Sequence, residues 1–146
     1  MRASRNASPS KKFQAQLLAH ANKARLMAYA PYSGFRVGAA LLTVDNSIFT
    51  GCNVENSCYS LTICAERNAV FKAVAEGQTR FKALAIASDS KEFLPPCGAC
   101  RQVLSEFAPR MTIILSNAAG QTRSMSLSKL LPKPANLKHL RKRSAR

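Results

Sequence analysis

Cys64-Ala65-Glu66-Arg67 and Pro95-Pro96-Cys97-Gly98-Ala99-Cys100 are the two stretches on which the reading of this chain turns. Each opens an apolar-periodic run, so each is expected at the start of a helix. A Cys-x-x-Cys pair at a helix start puts two sulfurs on one face, because positions three apart are neighbours on the helix surface. Cys64 lies about thirty residues upstream and offers a third sulfur. Three thiolates with one open position are the donor set of a catalytic zinc, in which water or substrate completes the tetrahedron. Glu66 follows Cys64 by two residues, about 200° round a regular helix. It is poorly placed to share the metal and well placed to face whatever the metal holds.

Upstream of Cys64, residues 1–12 form a basic, Arg/Ser-rich N-terminus expected to be flexible. Ser8-Pro9 reads as an N-cap followed by proline at the first helical position. Phe13, Leu17, Ala21, Ala24 and Ala28 recur at helical spacing and give a first helix one apolar face. The turn formers of Tyr29 to Phe35 break it. Arg36 to Val44 and Ser47 to Val54 read as a hairpin around Asp45-Asn46. Glu55 stands between two asparagines at the strand end with no evident partner, and its plainest reading is a solvated loop carboxylate. A helix from Cys64 to Glu76 is stopped by Gly77. Phe81 to Ser88 is apolar and continuous, as in a covered internal strand. A helix over Cys97 to Phe107, a buried strand over Met111 to Ser116, and a turn over Ala118 to Thr122 into a short edge strand follow. Leu127 to Leu131 adds a final helical turn. Strands alternating with helices predict an α/β chain: three α/β/α layers on a mixed five-stranded sheet.

The bulk composition agrees with one domain large enough to bury a core: 146 residues, 47% hydrophobic. No apolar run approaches bilayer length, so no membrane partner is expected. Five cysteines, an odd number, and no secretory signal point to a reducing, cytoplasmic setting and to metal or catalytic use. A net charge of +15 invites a nucleic-acid reading. Its distribution weakens it. Residues 1–12 carry four basic and no acidic side chains, residues 129–146 seven and none, and the remainder eleven basic against seven acidic. Nucleic acid is therefore expected to bind only weakly, through the tails. The organisation expected is a basic N-terminus (1–12), a domain (13–132) and a basic C-terminal tail (133–146).

Cys64-x-Glu66 with Pro96-Cys97-x-x-Cys100 resembles the signature of the zinc-dependent cytidine deaminase family, in its small form with cysteine in place of histidine. Asn53-Val54-Glu55-Asn56, Tyr59 and Arg101-Gln102-Val103-Leu104 extend the resemblance over roughly residues 13–132. It implies one zinc per chain, on Cys64, Cys97 and Cys100, and hydrolysis of cytidine and 2′-deoxycytidine to the uracil nucleosides and ammonia, a pyrimidine-salvage reaction. Glu66 would shuttle protons and Arg67 would hydrogen-bond ligand sulfur. Asn53 and Glu55 would hold the ribose hydroxyls, and Phe35 would pack beside the base. The Pro96 carbonyl and backbone near Ala65 would hold the base in plane. Ser57 and Tyr59 would reach across subunits of a homotetramer with shared active sites. The chain departs from the family pattern after Leu130-Leu131-Pro132, where relatives place a phenylalanine and this chain has Lys133-Pro134-Ala135-Asn136.

Three other readings draw on the same residues. A structural four-cysteine zinc would recruit Cys52 or Cys58, but gives no reason for Glu66, Asn53 or Glu55. A deaminase of RNA or DNA would use the basic tails. A deaminase of a cytosine-containing antibiotic would keep the chemistry and change the substrate.

Overall fold

The computed structural model describes residues 9–137. Five strands, β1 (Val37–Thr43), β2 (Ile48–Cys52), β3 (Phe81–Ser88), β4 (Thr112–Ser116) and β5 (Thr122–Ser126), form one sheet in the order β2-β1-β3-β4-β5. All neighbours are antiparallel except β3 and β4. A parallel pair needs a crossover, and the helix Gly98–Phe107 supplies it. We number the α-helices α1 (Lys11–Arg25), α2 (Ala65–Ala75), α3 (Gly98–Phe107) and α4 (Leu127–Leu130).

Period-two alternation sorts the strands between two cores. Ala40, Leu42, Ala83, Ala85, Ala87 and Ile114 face Leu17 and Ala21 of α1. Ala39, Leu41, Leu84, Ile86, Ile113 and Leu115 face the other way, against Ala65, Ala69, Val70 and Ala73 of α2 and Leu104 of α3. This is the three-layer α/β/α arrangement with a mixed five-stranded sheet. β1 is buried along its whole length, since it lies between two strands and two helical layers. Its partners on the α1 side are mostly alanine, so α1 lies close. A Cβ on Gly38 would stand 2.0 Å from the Ala21 carbonyl oxygen. Removing a fully buried anchor such as Leu17 would cost about 2–5 kcal/mol.

The helix ends depart from the sequence expectation in informative ways. The cap of α1 is Ser10, whose hydroxyl accepts from the Phe13 amide at 3.4 Å. Pro9 therefore stands before the cap, where its carbonyl accepts from Gln14 Nε2 at 2.8 Å; Ser8 lies outside the described residues. Ala28 is not on the helix. After Arg25 the amides of Leu26, Met27 and Ala28 bond three residues back. The chain then extends so that Tyr29 can pair with Val54. The end of α2 is as expected. Gly77, at φ 81°, lets its own amide reach Val74 and that of Gln78 reach Ala73, closing the carbonyls that the last turn leaves open.

The strand directions decide where chemistry can occur. The carboxyl ends of β2, β3 and β4 and the start of β1 all lie at one end of the sheet. The loops leaving that end lead directly into α2 and α3. Ligands of open α/β sheets collect at such ends. Among the described residues no helix is long and apolar enough to cross a membrane.

Candidate active site

Cys64 and Cys97 occupy the N-cap positions of α2 and α3, with nearly the same backbone (φ −71°, ψ 154° and φ −65°, ψ 168°). Neither side chain caps its own helix. The two sulfurs instead face each other at 3.8 Å. Cys100, buried inside the first turn of α3, completes a cluster whose sulfurs lie within 4.8 Å of one another. Tetrahedral zinc, with Zn–S about 2.3 Å, holds its sulfurs about 3.8 Å apart. The donor set fits that metal.

The proton balance supports the fit. Hydrogen bonds from Cys100 and Arg67 pull the Cys64 thiol down to about 5, against the opposing effect of burial. Cys100 moves the other way, pushed up by its bond to Cys64 and by burial. Three thiols this close cannot all ionise unaided, and a divalent cation removes the conflict by deprotonating its ligands. The Cys64 sulfur also stands at a helix N-terminus, where the dipole favours thiolate.

Glu66, in the first turn of α2, is 5% exposed. Burial pushes its carboxyl up to about 7, and the charge on Cys64 adds to the rise. Proton transfer at neutral pH needs a group so poised. Arg67 extends its Nη2 to within 3.6 Å of the Cys64 sulfur. Its buried Nε has no hydrogen-bond partner among the described residues.

A cavity of about 380 Å³ opens beside the cluster. Glu66, Cys64, Cys97 and Ala65 line it together with Phe35, Asn53, Glu55 and Tyr59. Glu55 is not the solvated carboxylate that its sequence neighbourhood suggests. It is 6% exposed and tied to the turn before β1. Oε2 accepts from the amides of Tyr32 at 2.9 Å and Ser33 at 3.2 Å, and Oε1 accepts from the Ser33 hydroxyl. These bonds, Ser33 Oγ foremost, hold its carboxyl below the usual range and keep it ionised. A carboxylate oxygen accepts two bonds, so Oε1 keeps one free direction. Asn53 is engaged as well: Oδ1 accepts from the Val37 amide at 2.8 Å and Nδ2 donates to the Phe35 carbonyl at 2.9 Å. It pins the start of β1 and retains one proton and one lone pair.

Other predicted residues lie outside this lining. Ser57 is exposed on the loop before α2. Pro96 is buried, and its carbonyl already accepts from Arg101 Nε at 2.7 Å. Cys52 points its sulfur at the Met27 carbonyl (3.4 Å), and Cys58 is exposed near Ser60. Among the described residues, the one three-ligand cluster excludes both. The sequence gives no warning of Ser33, Thr62, Leu94 or Pro95, which also line the cavity. Ser33 stands twenty-two residues from Glu55, beyond any local motif.

Residues 11–116 match the family described as "Cytidine and deoxycytidylate deaminase zinc-binding region". A cytidine deaminase of Sporosarcina psychrophila is 52% identical over 118 residues, 80% of this chain and 87% of that one. A probable cytidine deaminase of Dictyostelium discoideum is 51% identical over 113 residues, 77% and 76% of the two chains. The crystal structure of cytidine deaminase from Burkholderia pseudomallei superposes with a TM-score of 0.80 at 46% identity, covering 83% of this chain and 98% of that one. With the family match running from α1 through β4, this chain belongs to the cytidine and deoxycytidylate deaminase family.

Proposed function

We infer that this chain deaminates free cytidine and 2′-deoxycytidine hydrolytically, with zinc held by Cys64, Cys97 and Cys100. The observation that carries the reading is one cavity with two carboxylates of opposite character. Glu55, hydrogen-bonded and ionised, and Glu66, buried and shifted up to about 7, both line it with Cys64 and Cys97. One suits a hydroxyl donor and the other a travelling proton.

Zinc at the three sulfurs supplies the Lewis acidity that makes water nucleophilic near neutral pH. Glu66 takes one proton from water as its oxygen bonds the amine-bearing ring carbon and delivers that proton to the ring nitrogen; it then moves the proton of the new hydroxyl to the amine, so that the C–N bond breaks, the carbonyl forms and ammonia leaves. Each transfer contributes roughly 10²–10⁴-fold. Glu55 accepts a ribose hydroxyl on its remaining Oε1 direction, Asn53 binds a second ribose oxygen, and Phe35 packs on the base. Backbone at Ala65 and Pro96 orients the ring in its plane. Arg67 withdraws density from Cys64, offsetting three thiolates that together outweigh the metal's charge.

The open side of the cavity is assigned to further copies of the chain. Tyr59 is 74% exposed although it lines the cavity, Leu61 on the same turn is exposed as well, and so are Tyr29, Tyr32, Leu26 and Met27 elsewhere on the surface. Apolar surface on this scale marks an association face, and a homotetramer sharing its sites would cover it, Ser57 and Tyr59 being contributed across the interface.

The test compares kcat/KM for cytidine with that for a short cytosine oligonucleotide at physiological salt. A 3′-phosphodiester removes the hydroxyl donor and sets a phosphate against Glu55. Sites built around a hydroxyl reject analogues lacking it by roughly 10⁴–10⁵, and a preference of that order for cytidine is expected. Comparable values would overturn the nucleoside reading in favour of a nucleic-acid substrate.

A further inference from the structure

Consecutive residues of α3, Arg101 and Gln102, join the turn before the helix to chain about thirty residues further on. Arg101 Nε donates to the Pro96 carbonyl at 2.7 Å, and its Nη1 donates to the Leu130 carbonyl at 3.0 Å. The backbone amide of the same residue donates to the Cys97 carbonyl at 2.9 Å. Arg101 therefore grips the carbonyls on both sides of the Cys97 amide-to-carbonyl unit and joins them to the last residue of α4. Gln102 fastens the segment beyond: Nε2 donates to the Ala135 carbonyl and Oε1 accepts the Ala135 amide, both at 3.0 Å. A side-chain amide here closes the two-bond ring that a neighbouring strand would otherwise make.

Cys97 needs such support. It is exposed, it precedes the helix, and it makes no capping bond that would fix its orientation. Cys100, by contrast, is fixed within α3 and buried. The segment preceding Cys64 is held by a two-bond bridge between Ile63 and Val54 at 3.0 Å each way. The segment preceding Cys97 has instead the fork of Arg101. A planar guanidinium presents donors in a fixed fork and so sets angles as well as distances.

We propose that Arg101, backed by Gln102, is a positioning residue for the zinc ligand Cys97, and that residues 127–135 form a strap through which the C-terminal chain holds the metal-bearing turn in register. The proposal rests on the zinc-deaminase reading. Outer partners of metal ligands typically govern affinity or activity by about 10–100-fold. The Leu130 carbonyl is one that the short helix α4 cannot satisfy internally. A guanidinium placed there ties the strap to α3.

The experiment follows zinc transfer from the full-length protein to a chromogenic chelator, with melting temperature and cytidine kinetics in parallel. Arg101→Ala is expected to release zinc at least about ten-fold faster, with kcat reduced and KM for cytidine little changed. Arg101→Lys keeps the charge but cannot span both carbonyls, so an intermediate release rate is expected; it decides the matter if the alanine variant does not fold. Gln102→Ala should accelerate release less than Arg101→Ala. Leu17→Ala, in the core on the opposite face of the sheet, is the control: it should lower the melting temperature and leave zinc release unchanged. Wild-type release from both Arg101 variants, or release that merely tracks melting temperature across all four, would overturn the proposal. A raised KM at constant kcat would also overturn it by making Arg101 a substrate contact. Wild-type protein that binds no zinc would overturn the underlying zinc reading, a result separate from those outcomes.

Discussion

The starts of α2 and α3 are the same device built twice and then put to different uses. Each begins with a cysteine in extended backbone at the N-cap, and each withholds its sulfur from the helix it opens. An ordinary N-cap side chain would accept an amide of the first turn. Here the two sulfurs look across at each other, at 3.8 Å. The next residues diverge. Two positions on stand Glu66 and Ala99; three positions on, Arg67 and Cys100; four positions on, Asn68 and Arg101. The α2 start carries the buried carboxyl and a guanidinium beside the Cys64 sulfur, and the α3 start carries the third sulfur and the fork to the Pro96 and Leu130 carbonyls. Asn68 ties α2 to the Cys52 carbonyl at 2.8 Å, anchoring it to the sheet. What the pair teaches is that the metal geometry is set by a shared backbone form, while the chemistry is set by side chains one turn further on.

The sharpest way to break the symmetry is to remove the carboxylate from α2. Glu66→Gln is expected to retain zinc and lower turnover by about 10⁴-fold, the upper end of what a general acid–base contributes. Moving the carboxylate across, in Glu66→Gln with Ala99→Glu, should not restore activity, because Ala99 does not line the cavity. Steady-state kinetics with zinc content measured on the same samples check both. Retention of a tenth of wild-type turnover in Glu66→Gln would remove its assigned role.

Arg67 tests the next level. Arg67→Ala should lower kcat by about 10–100-fold with little change in KM, as expected for a group acting on a metal ligand. The converse pattern would make it a substrate contact.

The smallest effects concern packing alone, and they differ in sign. A Cβ on Gly51 would lie 2.4 Å from the Ala65 carbonyl oxygen and 2.5 Å from the Ala69 amide nitrogen. Both are backbone atoms of α2 and cannot swing aside, so Gly51→Ala should cost about 1–3 kcal/mol. A Cβ on Gly98, beside Cys97, meets nothing within 4 Å. Gly98→Ala should be neutral or stabilising by up to about 1 kcal/mol, through the unfolded chain. Denaturant melts of the two variants decide whether α2 is the more tightly seated helix; equal losses would contradict it.

The sequence made the two helix starts legible because their information is local. Cys-x-x-Cys spacing, a carboxylate two residues from a cysteine, and Gly77 at a helix end act within one turn. Strand positions were readable for the same reason, since a short apolar run bounded by turn formers is a local pattern. Pairing was not. That Glu55 would meet Tyr32 and Ser33, and that Arg101 would meet Leu130, depends on how segments more than twenty residues apart return to one another in the fold. No periodicity encodes that return. The cap of α1 was misplaced by two residues because Ser8-Pro9 and Ser10 are both acceptable starts by propensity. Ser10 wins by reaching the Phe13 amide while Pro9 accepts from Gln14.

The direction of the strands has a consequence for how the chain tolerates change. Every cavity residue comes from loops, strand ends or the first turn of α2 at one pole of the sheet. The opposite pole carries the turns at Asp45-Asn46, Gly77–Arg80 and Ala108–Arg110, and none of these lines that cavity. Substitutions in these turns are expected to act through stability before they reach the cavity, whereas those at the other pole touch its lining directly. The molecule thus keeps a sector in which sequence can drift, or a peptide be grafted, without renegotiating the reaction.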